Sequence, residues 1–371
     1  MASISKGLSE VLIYRWTSWH SLRTGSCANR GPVLAPIAKV LPRGSVLLIA
    51  LWSLSLLTVF AVYLGNGVRQ KIVLVEMLNS RDSLHFIAEA GVKQAISELR
   101  NKESFEYACL NEPWSSNPAV FKSIEAGLGE FSVAYDYLDH QSGQLESRYG
   151  LIDEERKLNL NQSELEVIQR LIMLVGGLES EEAQNLAAAL VDWRDSDHTV
   201  SIPLGSAEDS YYQGLTHPYE AKDSAFEVFE ELLLVRGMSQ GVFEKLKEYI
   251  TIYGNNKINI NTASEFVLQA LGLEEALAEK IISFRRGDDA AEATDDDNIF
   301  ISPPDIVSKL NESVSLSPEE IAVLNNLVSA GRLSTDSSNF MARVTARLGR
   351  RQAQIISIFD KEGKILFWKE S

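Results

Sequence analysis

A cluster of carboxylates gives this chain its clearest capacity for chemistry. Five acidic residues lie within 18 positions, and they are Asp192, Asp195, Asp197, Glu208 and Asp209. Calcium takes about six to eight oxygen ligands, often from Asp and Glu side chains on a flexible loop. Asp195 and Asp197, with Glu208 and Asp209 on a returning loop, could supply four of these ligands, whereas Asp192 is expected on the preceding helix. The alternative is a helix end that runs into a solvated acidic loop, and the residues alone leave both open.

Two further acidic stretches have competing interpretations. The first contains Asp288, Asp289, Glu292, Asp295, Asp296 and Asp297. Like charges this close repel one another, so the stretch is equally typical of a mobile loop and of a second ion site. The second, Asp153 with Glu154 and Glu155, could provide a catalytic carboxylate pair. A turn between a strand and a helix is the favoured interpretation of these three residues.

The remaining residue types give no support to an enzyme. The histidines stand at positions 20, 85, 140, 198 and 217, and none has a second histidine at the spacing of a metal-binding helix. The sequence contains neither a Gly-x-Ser-x-Gly nucleophile motif nor a phosphate-binding loop. We therefore expect a protein without catalytic activity.

The elements that position the acidic residues begin with an apolar segment. Residues 45–64 carry no charge, and a helix of that length spans about 30 Å, the hydrocarbon thickness of a bilayer. The preceding residues 1–44 contain six basic residues and one acidic residue, and basic residues beside a span stay in the cytoplasm. We predict one transmembrane helix with the bulk of the chain outside. Cys27 and Cys109 would then lie on opposite sides of the membrane and form no internal disulfide.

The charge of the chain argues against nucleic-acid binding. The net charge is −16, and the leader contributes +5, so the remaining chain carries −21 and repels phosphate. The motif NINTA at residues 259–263, followed by two helices, resembles DNA-binding helix-hairpin-helix modules. Those modules grip phosphate with backbone amides of a glycine-containing hairpin, but Glu274 and Glu275 stand where the phosphate would lie. We interpret the motif as a protein–protein scaffold.

Hydrophobic periodicity predicts an α+β fold. The membrane helix should continue to about Leu99, with a weak point at Gly65 and Gly67. Strands are predicted at residues 130–137 and 145–152, around a turn at 140–143, and again at 340–348, 354–359 and 364–368. The residues between these two groups have helical patterns. The expected order is a leader (1–44), a transmembrane helix (45–66), an α/β domain with an antiparallel sheet (67–154 and 336–371), and an inserted α-helical domain (155–335).

The inserted domain contains an internal echo. The pentapeptide KLNLN at residues 157–161 returns as KININ at 257–261. Each precedes a helix-start signal, which is Ser163 in the first copy and Thr262 or Ser264 in the second. Each is followed by an apolar helix, a glycine-containing break and a second helix, so two helical-hairpin repeats are predicted.

With these elements in order, the sequence resembles the minor pseudopilin K family of bacterial type II secretion systems. The features that carry the resemblance extend from residue 43 to about 310, and the C-terminal strands match more loosely. They are Arg-Gly at 43–44, AEAG at 88–91, Asp-Glu at 153–154 followed by KLNLN, DWRDSD at 192–197, AED at 207–209 with Tyr211 and Tyr212, Pro-Tyr at 218–219, Glu-Leu at 231–232, Gly-Met at 237–238, and NINTA at 259–263.

The resemblance implies a processing site and a location. A prepilin peptidase would cleave after Gly44, and the mature chain would begin at N-methylated Ser45. The fifth mature residue is Ile49, where most pilins have Glu, and protein K members are the ones that lack it. The protein would lie in the bacterial inner membrane with a pilin-like α/β domain in the periplasm. Its partners would be other minor pseudopilins in a heterotrimeric tip, the major pseudopilin, the inner-membrane secretion platform and the prepilin peptidase.

The resemblance also bears on the acidic cluster, because the family binds calcium in its helical domain. It therefore favours structural calcium, with Asp195, Asp197, Glu208 and Asp209 as ligands. The expected function is that of the first subunit of a pseudopilus, which initiates assembly and supports export of folded proteins. The alternative is a minor pilin of a type IV pilus-like system, which shares the N-terminal signal and serves adhesion or DNA uptake.

Overall fold

The structure is a computed structural model that describes residues 43–101, 106–139 and 144–371. Residues 1–42 of the predicted leader, with Cys27, and the predicted turn at residues 140–143 lie outside the described residues. The described residues divide into two compact regions, one up to Arg69 and one of residues 70–371. The sheet and the helical repeats belong to the region of residues 70–371.

The helices and strands occur in an order that separates an α/β part from a helical insert. The helices are α1 (Arg43–Arg100), α2 (Pro118–Phe121), α3 (Leu165–Leu171), α4 (Ser180–Arg194), α5 (Asp209–Tyr212), α6 (Gln240–Leu246), α7 (Glu265–Ala270), α8 (Glu275–Arg285), α9 (Ile306–Ser313) and α10 (Pro318–Ser329). The strands are β1 (Ile124–Ala126), β2 (Gly129–Val133), β3 (Tyr135–Asp139), β4 (Gln144–Arg148), β5 (Ile152–Asp153), β6 (Leu158–Asn159), β7 (Ile250–Thr251), β8 (Ile258–Asn259), β9 (Leu333–Ser334), β10 (Asn339–Leu348), β11 (Arg351–Asp360) and β12 (Ile365–Glu370).

Helix α1 matches the predicted long N-terminal helix. Within the described residues it is the one helix long and apolar enough to cross a membrane, with a mean hydropathy of 2.3 over its most apolar window. It continues without a break through Gly65 and Gly67, and the weak point predicted there stays a prediction. Its apolar first part, for example Leu47 and Trp52, is exposed, as expected of a segment that packs in lipid.

The second part of α1 packs on the sheet. Its buried residues recur at helical spacing and are Leu84, Ile87, Ala88, Val92, Ala95 and Leu99. Gly91, the last residue of the AEAG motif, allows the close approach. A Cβ atom at Gly91 would lie 2.4 Å from Cγ1 of Val344 and 2.9 Å from Cδ2 of Phe131. The motif therefore has a packing reason, since only a residue without a side chain fits between helix and sheet.

Six strands form one antiparallel sheet. Their order is β1-β2-β10-β11-β12, and β5 pairs with β10 beside β2. The three C-terminal strands lie where the sequence predicts them, and Asp360 closes the predicted hairpin turn by accepting hydrogen bonds from the backbone N–H groups of Glu362 and Lys364. The predicted mixed α+β fold with an antiparallel sheet is confirmed.

The predicted strand at residues 130–137 is two strands, because the chain changes sheets at Ala134. Residues up to Val133 pair with β10, whereas Tyr135 begins β3, which forms a separate hairpin with β4. Between them Ala134 donates its N–H to the carbonyl of Arg343 at 3.1 Å and then leaves the sheet. Tyr135 and Tyr137 pack with other residues into a small core on the opposite face.

Two similar helical units make up the inserted domain. Each helical unit begins with one of the two related pentapeptides, KLNLN or KININ. In the first, β6 pairs in parallel with β7, and α3 and α4 follow; in the second, β8 pairs in parallel with β9, and α7 and α8 follow. The glycine breaks lie at Gly177 and Gly272, which adopt positive φ angles of 71° and 101°. The inserted domain is mainly helical, and its four two-residue strands were not predicted.

The helix starts differ between the two units. Ser264 caps α7 by accepting a hydrogen bond from the N–H of Val267. Ser163 does not cap α3, which begins two residues later, and its hydroxyl instead donates to Asn256 at 3.0 Å. Thr262 donates to the buried Asp153.

Asp153, Glu154 and Glu155 form a buried turn, not an open carboxylate pair. All three are less than 5 % exposed. Asp153 accepts hydrogen bonds from Asn259 and Thr262 of the second unit. Glu154 pairs with Lys157 at 2.6 Å and accepts from Thr251 of the first unit, and Glu155 accepts from Asn339 of β10. The turn joins both units to the sheet, and its burial leaves no access for a substrate.

Candidate metal centre

Helix α4 carries the first acidic residues of the candidate centre. Its buried face, which includes Leu186, Leu190 and Trp193, holds the helix in the core of the first unit. The helix ends at Arg194, whose guanidinium donates to the carbonyl of Ser163. Asp195 follows at the helix C-terminus, where the helix dipole is negative and a carboxylate is unfavourable unless a cation lies beside it.

Three of the four predicted ligands come together beyond this helix end. One carboxylate oxygen each of Asp195, Asp197 and Glu208 lies within 4.8 Å of the other two. Two oxygens on opposite sides of one calcium ion are about 5 Å apart, since each lies at about 2.3–2.6 Å from the ion. The three oxygens therefore fit around a single ion of this size.

The carboxylate of Glu208 is buried without a hydrogen-bond partner. Glu208 is 3 % exposed, and neither of its two oxygens has a partner within the described residues. Oδ1 of Asp195 is also buried and unpartnered there. Burial, and then the nearby Asp192 and Asp195, raise the pKa of Glu208 to about 7; burial and then Asp197 raise the pKa of Asp195. Such a site is unfavourable when empty and favourable when a cation neutralises it.

Asp209, the fourth predicted ligand, lies in a neighbouring group. It begins α5, and its Oδ1 accepts a hydrogen bond from the N–H of Ala221 at 2.8 Å. Its nearest candidate co-ligands are His198 and Asp223, with the ligand atoms of the three within 4.8 Å of one another. Nδ1 of His198 lies 3.6 Å from Oδ2 of Asp223. The four predicted residues therefore divide into a group of three and one member of an adjacent group.

Asp192 lies on α4, as predicted, and has a different role. It is fully buried, and both its oxygens accept the N–H of Ser201 at 3.1 and 3.2 Å. This contact holds the start of the acidic loop against the helix. Asp192 adds negative potential to the centre without joining the group of three.

The rest of the loop is fixed by packing and by one arginine. Arg236 donates to the carbonyls of Ser206 and Leu204 at 2.8 and 3.0 Å. Behind the carboxylates, Trp193 and Tyr212 meet edge to face with ring centroids 5.2 Å apart. The wall of the centre is thus rigid, and the unpartnered carboxylates on it are held near one another before any ion binds.

The second acidic stretch is built differently. Nη2 of Arg285 pairs with Glu292, and Tyr137 also donates to that carboxylate. Asp296 accepts the backbone N–H groups of residues 288 and 289, and Asp297 accepts that of residue 293. In the part of the chain that the structure describes, the grouped candidate ligands all lie in the first acidic loop. These contacts argue against an ion in the second stretch.

Sequence reasoning missed two residues of the centre, His198 and Asp223. His198 was passed over because it has no histidine partner at helical spacing, but its candidate co-ligands are carboxylates. Asp223 stands alone between Lys222 and Ser224, and no spacing pattern marks it. Its positive φ of 50°, uncommon for a residue with a side chain, becomes visible only in the structure.

The predicted processing site lies in the first turn of α1, which contains Gly44 and Ser45. The fold of residues 70–371 does not bear on these two residues, and their cleavage and methylation stay predictions.

The segment that contains the candidate metal centre is similar to a known protein family. A family model described as "Type II secretion system (T2SS), protein K" matches residues 145–255, which include β6, α3, α4, the acidic loop and α6. The resemblance inferred from the sequence motifs is thus confirmed.

Curated relatives agree with this match over part of their length. Type II secretion system protein K of Aeromonas hydrophila is 29 % identical over 192 residues, which are 51 % of this chain and 54 % of the relative. The Pseudomonas aeruginosa protein of the same name is 26 % identical over 243 residues, 62 % of this chain and 69 % of the relative. The chain thus spans about half to two thirds of these two proteins.

A solved structure supports the fold. The chain is similar to one in the crystal structure of the GspK-GspI-GspJ complex from the enterotoxigenic Escherichia coli type II secretion system, with a TM-score of 0.60 and 20 % identity. The similarity covers 80 % of this chain and 99 % of that chain. At this identity the likeness concerns the fold.

Proposed function

We propose that this protein is a minor pseudopilin of a type II secretion system. The observation that carries the proposal is the protein K domain at residues 145–255, in a chain that also has an exposed apolar N-terminal helix. The helix would hold the subunit in the inner membrane and later pack among the N-terminal helices of the filament. The protein would have no catalytic role.

The proposal includes a place at the tip of the pseudopilus. The inserted domain is bulky and would not fit easily inside a tightly packed filament. Most pilin subunits have a Glu at the position of Ile49, and its carboxylate would pair with the N-terminal amine of the preceding subunit, because a charge in lipid is costly unless paired. This chain lacks that carboxylate. A subunit without that demand suits the first position, where it would initiate assembly with other minor pseudopilins. The protein K match favours this function over that of a type IV pilus minor pilin.

Calcium is the proposed structural ion of the acidic loop. Asp195, Asp197 and Glu208 would hold it, with Asp209 in the adjacent group. The support is the buried Glu208 carboxylate, whose oxygens have no partner in the described part of the chain. Bound calcium would neutralise the mutually repelling carboxylates and fix the loop between Asp195 and Asp223.

The function is tested by intact mass and N-terminal sequencing of the protein from its native membrane. We expect a mature start at N-methyl-Ser45, because a prepilin peptidase substrate loses its leader after Gly44. A Gly44→Val variant should keep the leader, whereas Gly31→Val, a matched glycine change within the leader, should be processed normally. An intact leader in the wild type would contradict the pseudopilin assignment and leave a signal-anchored protein.

A further inference from the structure

A cleft separate from the metal centre lies between the β3–β4 hairpin and the first helical unit. Its volume is about 550 Å³, within the range of ligand-binding clefts. Tyr135, Tyr137 and Tyr249 line it, and Leu138 and Leu145, which face each other across the hairpin, lie at its edge. Leu145 is 67 % exposed, so the edge presents apolar surface to solvent.

The charged residues of the cleft are mostly basic, although the chain as a whole carries −16. The basic residues are Arg156, Lys157, Lys245 and Arg343, and the acidic ones are Asp136 and Glu248. Lys157 is neutralised by Glu154. The positive charges of Arg156, Lys245 and Arg343 can therefore interact with a ligand or with solvent.

These three cations are weakly satisfied by the protein. Nε of Arg343 is buried without a hydrogen-bond partner, and its Nη2 lies 3.9 Å from Glu248, at the limit of an ion pair. Lys245 donates to the carbonyl of Gly176, and within the described residues neither Lys245 nor Arg156 pairs with a carboxylate. The guanidinium of Arg156 instead lies 5.4 Å from the ring centroid of Tyr137.

A second arginine, Arg148, also lies against the ring of Tyr137. The guanidinium carbon of Arg148 lies 3.5 Å from the ring centroid of Tyr137. Arg148 is 7 % exposed, and its Nη1 has no hydrogen-bond partner in the described part of the chain. Nη2 of Arg148 lies 3.9 Å from Glu146, at the limit of an ion pair, and the hydroxyl of Tyr137 donates to Glu292. The ring is therefore held beside a weakly paired cation, and such charge favours an anion more strongly in a partly desolvated site than in water.

We propose that this cleft binds a peptide segment of a protein partner that carries a carboxylate beside an aromatic or aliphatic side chain. The carboxylate would accept hydrogen bonds from the guanidinium of Arg343, whose planar fork matches two carboxylate oxygens, with Lys245 adding charge. The apolar side chain would lie on the tyrosines and on Leu138. Charge complementarity favours a ligand with a carboxylate, because Arg156, Lys245 and Arg343 lie together in one aromatic cleft of an otherwise acidic protein. The inference does not depend on the proposed secretion function or on calcium.

The carboxylate could be a free C-terminus or an Asp side chain, and the test separates the two. Three unlabelled, N-acetylated peptides are titrated into the full-length protein in detergent, and binding is followed by isothermal titration calorimetry. The peptides are Gly-Ser-Ala-Phe with a free C-terminal carboxylate, the same peptide amidated, and amidated Gly-Ser-Asp-Phe. We expect saturable binding of one or both carboxylate peptides and none of the neutral amide. Binding of neither carboxylate peptide, or equal binding of the neutral one, would overturn the proposal.

Two variants locate the binding. Arg343→Gln should weaken it by about tenfold or more, as expected for loss of a charge-assisted pair. Arg347→Gln, on the same strand and exposed outside the cleft, is the matched control and should leave the affinity within about twofold. If Arg343→Gln is poorly folded, Lys245→Gln is the second variant, and it can still donate to the carbonyl of Gly176. We expect Lys245→Gln to lower the affinity for the carboxylate peptides as well. Unchanged affinity in a folded Arg343→Gln or Lys245→Gln variant contradicts the assigned cleft.

Discussion

The two acidic loops follow equivalent helices in the two units, yet they satisfy their charge in different ways. In the first unit α4 ends at Arg194, which donates to the carbonyl of Ser163; in the second α8 ends at Arg285, which donates to the carbonyl of Ala263. Both carbonyls lie two residues beyond the last Asn of the echoed pentapeptides. The loops therefore begin from matching scaffolds.

The difference lies in what neutralises the carboxylates. In the second loop Arg285 has a further nitrogen for Glu292, and backbone N–H groups serve Asp296 and Asp297. In the first loop Glu208 and Asp195 have buried oxygens that no described donor reaches. Acidic composition is common to both loops, but unpartnered buried oxygens that could bind an ion occur in the first. The predictions below test this contrast, from the largest expected effect to the smallest.

Breaking the internal neutralisation of the second loop should have the largest effect. Arg285→Met leaves Glu292 buried without its cation, with the Tyr137 hydroxyl still donating to it, and loss of one partner of a buried ion pair costs about 3–5 kcal/mol. We expect this loss in the free energy of unfolding, measured by urea denaturation, with and without calcium. Arg350→Met, at an exposed turn, should be nearly neutral. A calcium-dependent loss in Arg285→Met would mean that the second loop also depends on an ion.

Calcium should stabilise the first loop. At a concentration about 100 times its Kd, an ion that binds only the folded state adds about 2.7 kcal/mol. Asp195→Ala combined with Asp197→Ala should abolish the increase in Tm that calcium causes, while changing Tm little in a chelator. Equal melting curves of the wild type with calcium and with chelator would remove the calcium proposal.

The pH dependence of stability should differ with and without calcium. In the folded protein the pKa of Glu208 is raised from 4.5 to about 7, so the folded state holds this proton more tightly than the unfolded chain. Without metal, this group therefore contributes stability at low pH that is lost as the pH rises through about 7. Calcium competes with the proton, so its stabilising effect should grow over the same range. Tm measured between pH 5 and 8 checks both trends, and a Glu208→Gln variant should show neither.

Removal of one exposed carboxylate from the second loop should have the smallest effect. Asp296 is exposed, and its carboxylate accepts two backbone N–H groups and the hydroxyl of Thr294. Asp296→Ala should cost about 0.5–1.5 kcal/mol, the net value of a typical hydrogen bond. Its Tm increase with calcium should equal that of the wild type. A reduced increase would show that the second loop contributes to ion binding.

The elements with strong periodicity were predictable from the sequence. The α1 helix, the three C-terminal strands and the repeat of the pentapeptides follow from local patterns of apolar residues and turn residues. The break at Ala134 was not predictable, because alternation is the same in one strand as in two strands of different sheets. The parallel pairs of β6 with β7 and β8 with β9 were missed because two-residue strands carry no pattern of their own.

The candidate metal centre was predictable to the extent that its candidate ligands are near in sequence. Asp195, Asp197 and Glu208 were found because they cluster within one loop. Asp209 was assigned to the same group, but the N–H of Ala221 and the fold of α5 direct it to the neighbouring one. His198 and Asp223 depend on how the loop returns, which a sequence does not display. The contrast between the two loops could not be predicted from the sequence either, because both loops are rich in acidic residues. Only the fold brings Arg285 to Glu292.

The most direct test of the contrast is a calorimetric calcium titration of the full-length protein in detergent, beside the Asp195→Ala plus Asp197→Ala variant and Asp296→Ala. We expect saturable binding in the wild type and in Asp296→Ala, with binding by the first-loop variant reduced at least about tenfold. Absence of saturable binding in the wild type, or a loss of binding in Asp296→Ala with retention in the first-loop variant, would contradict the account.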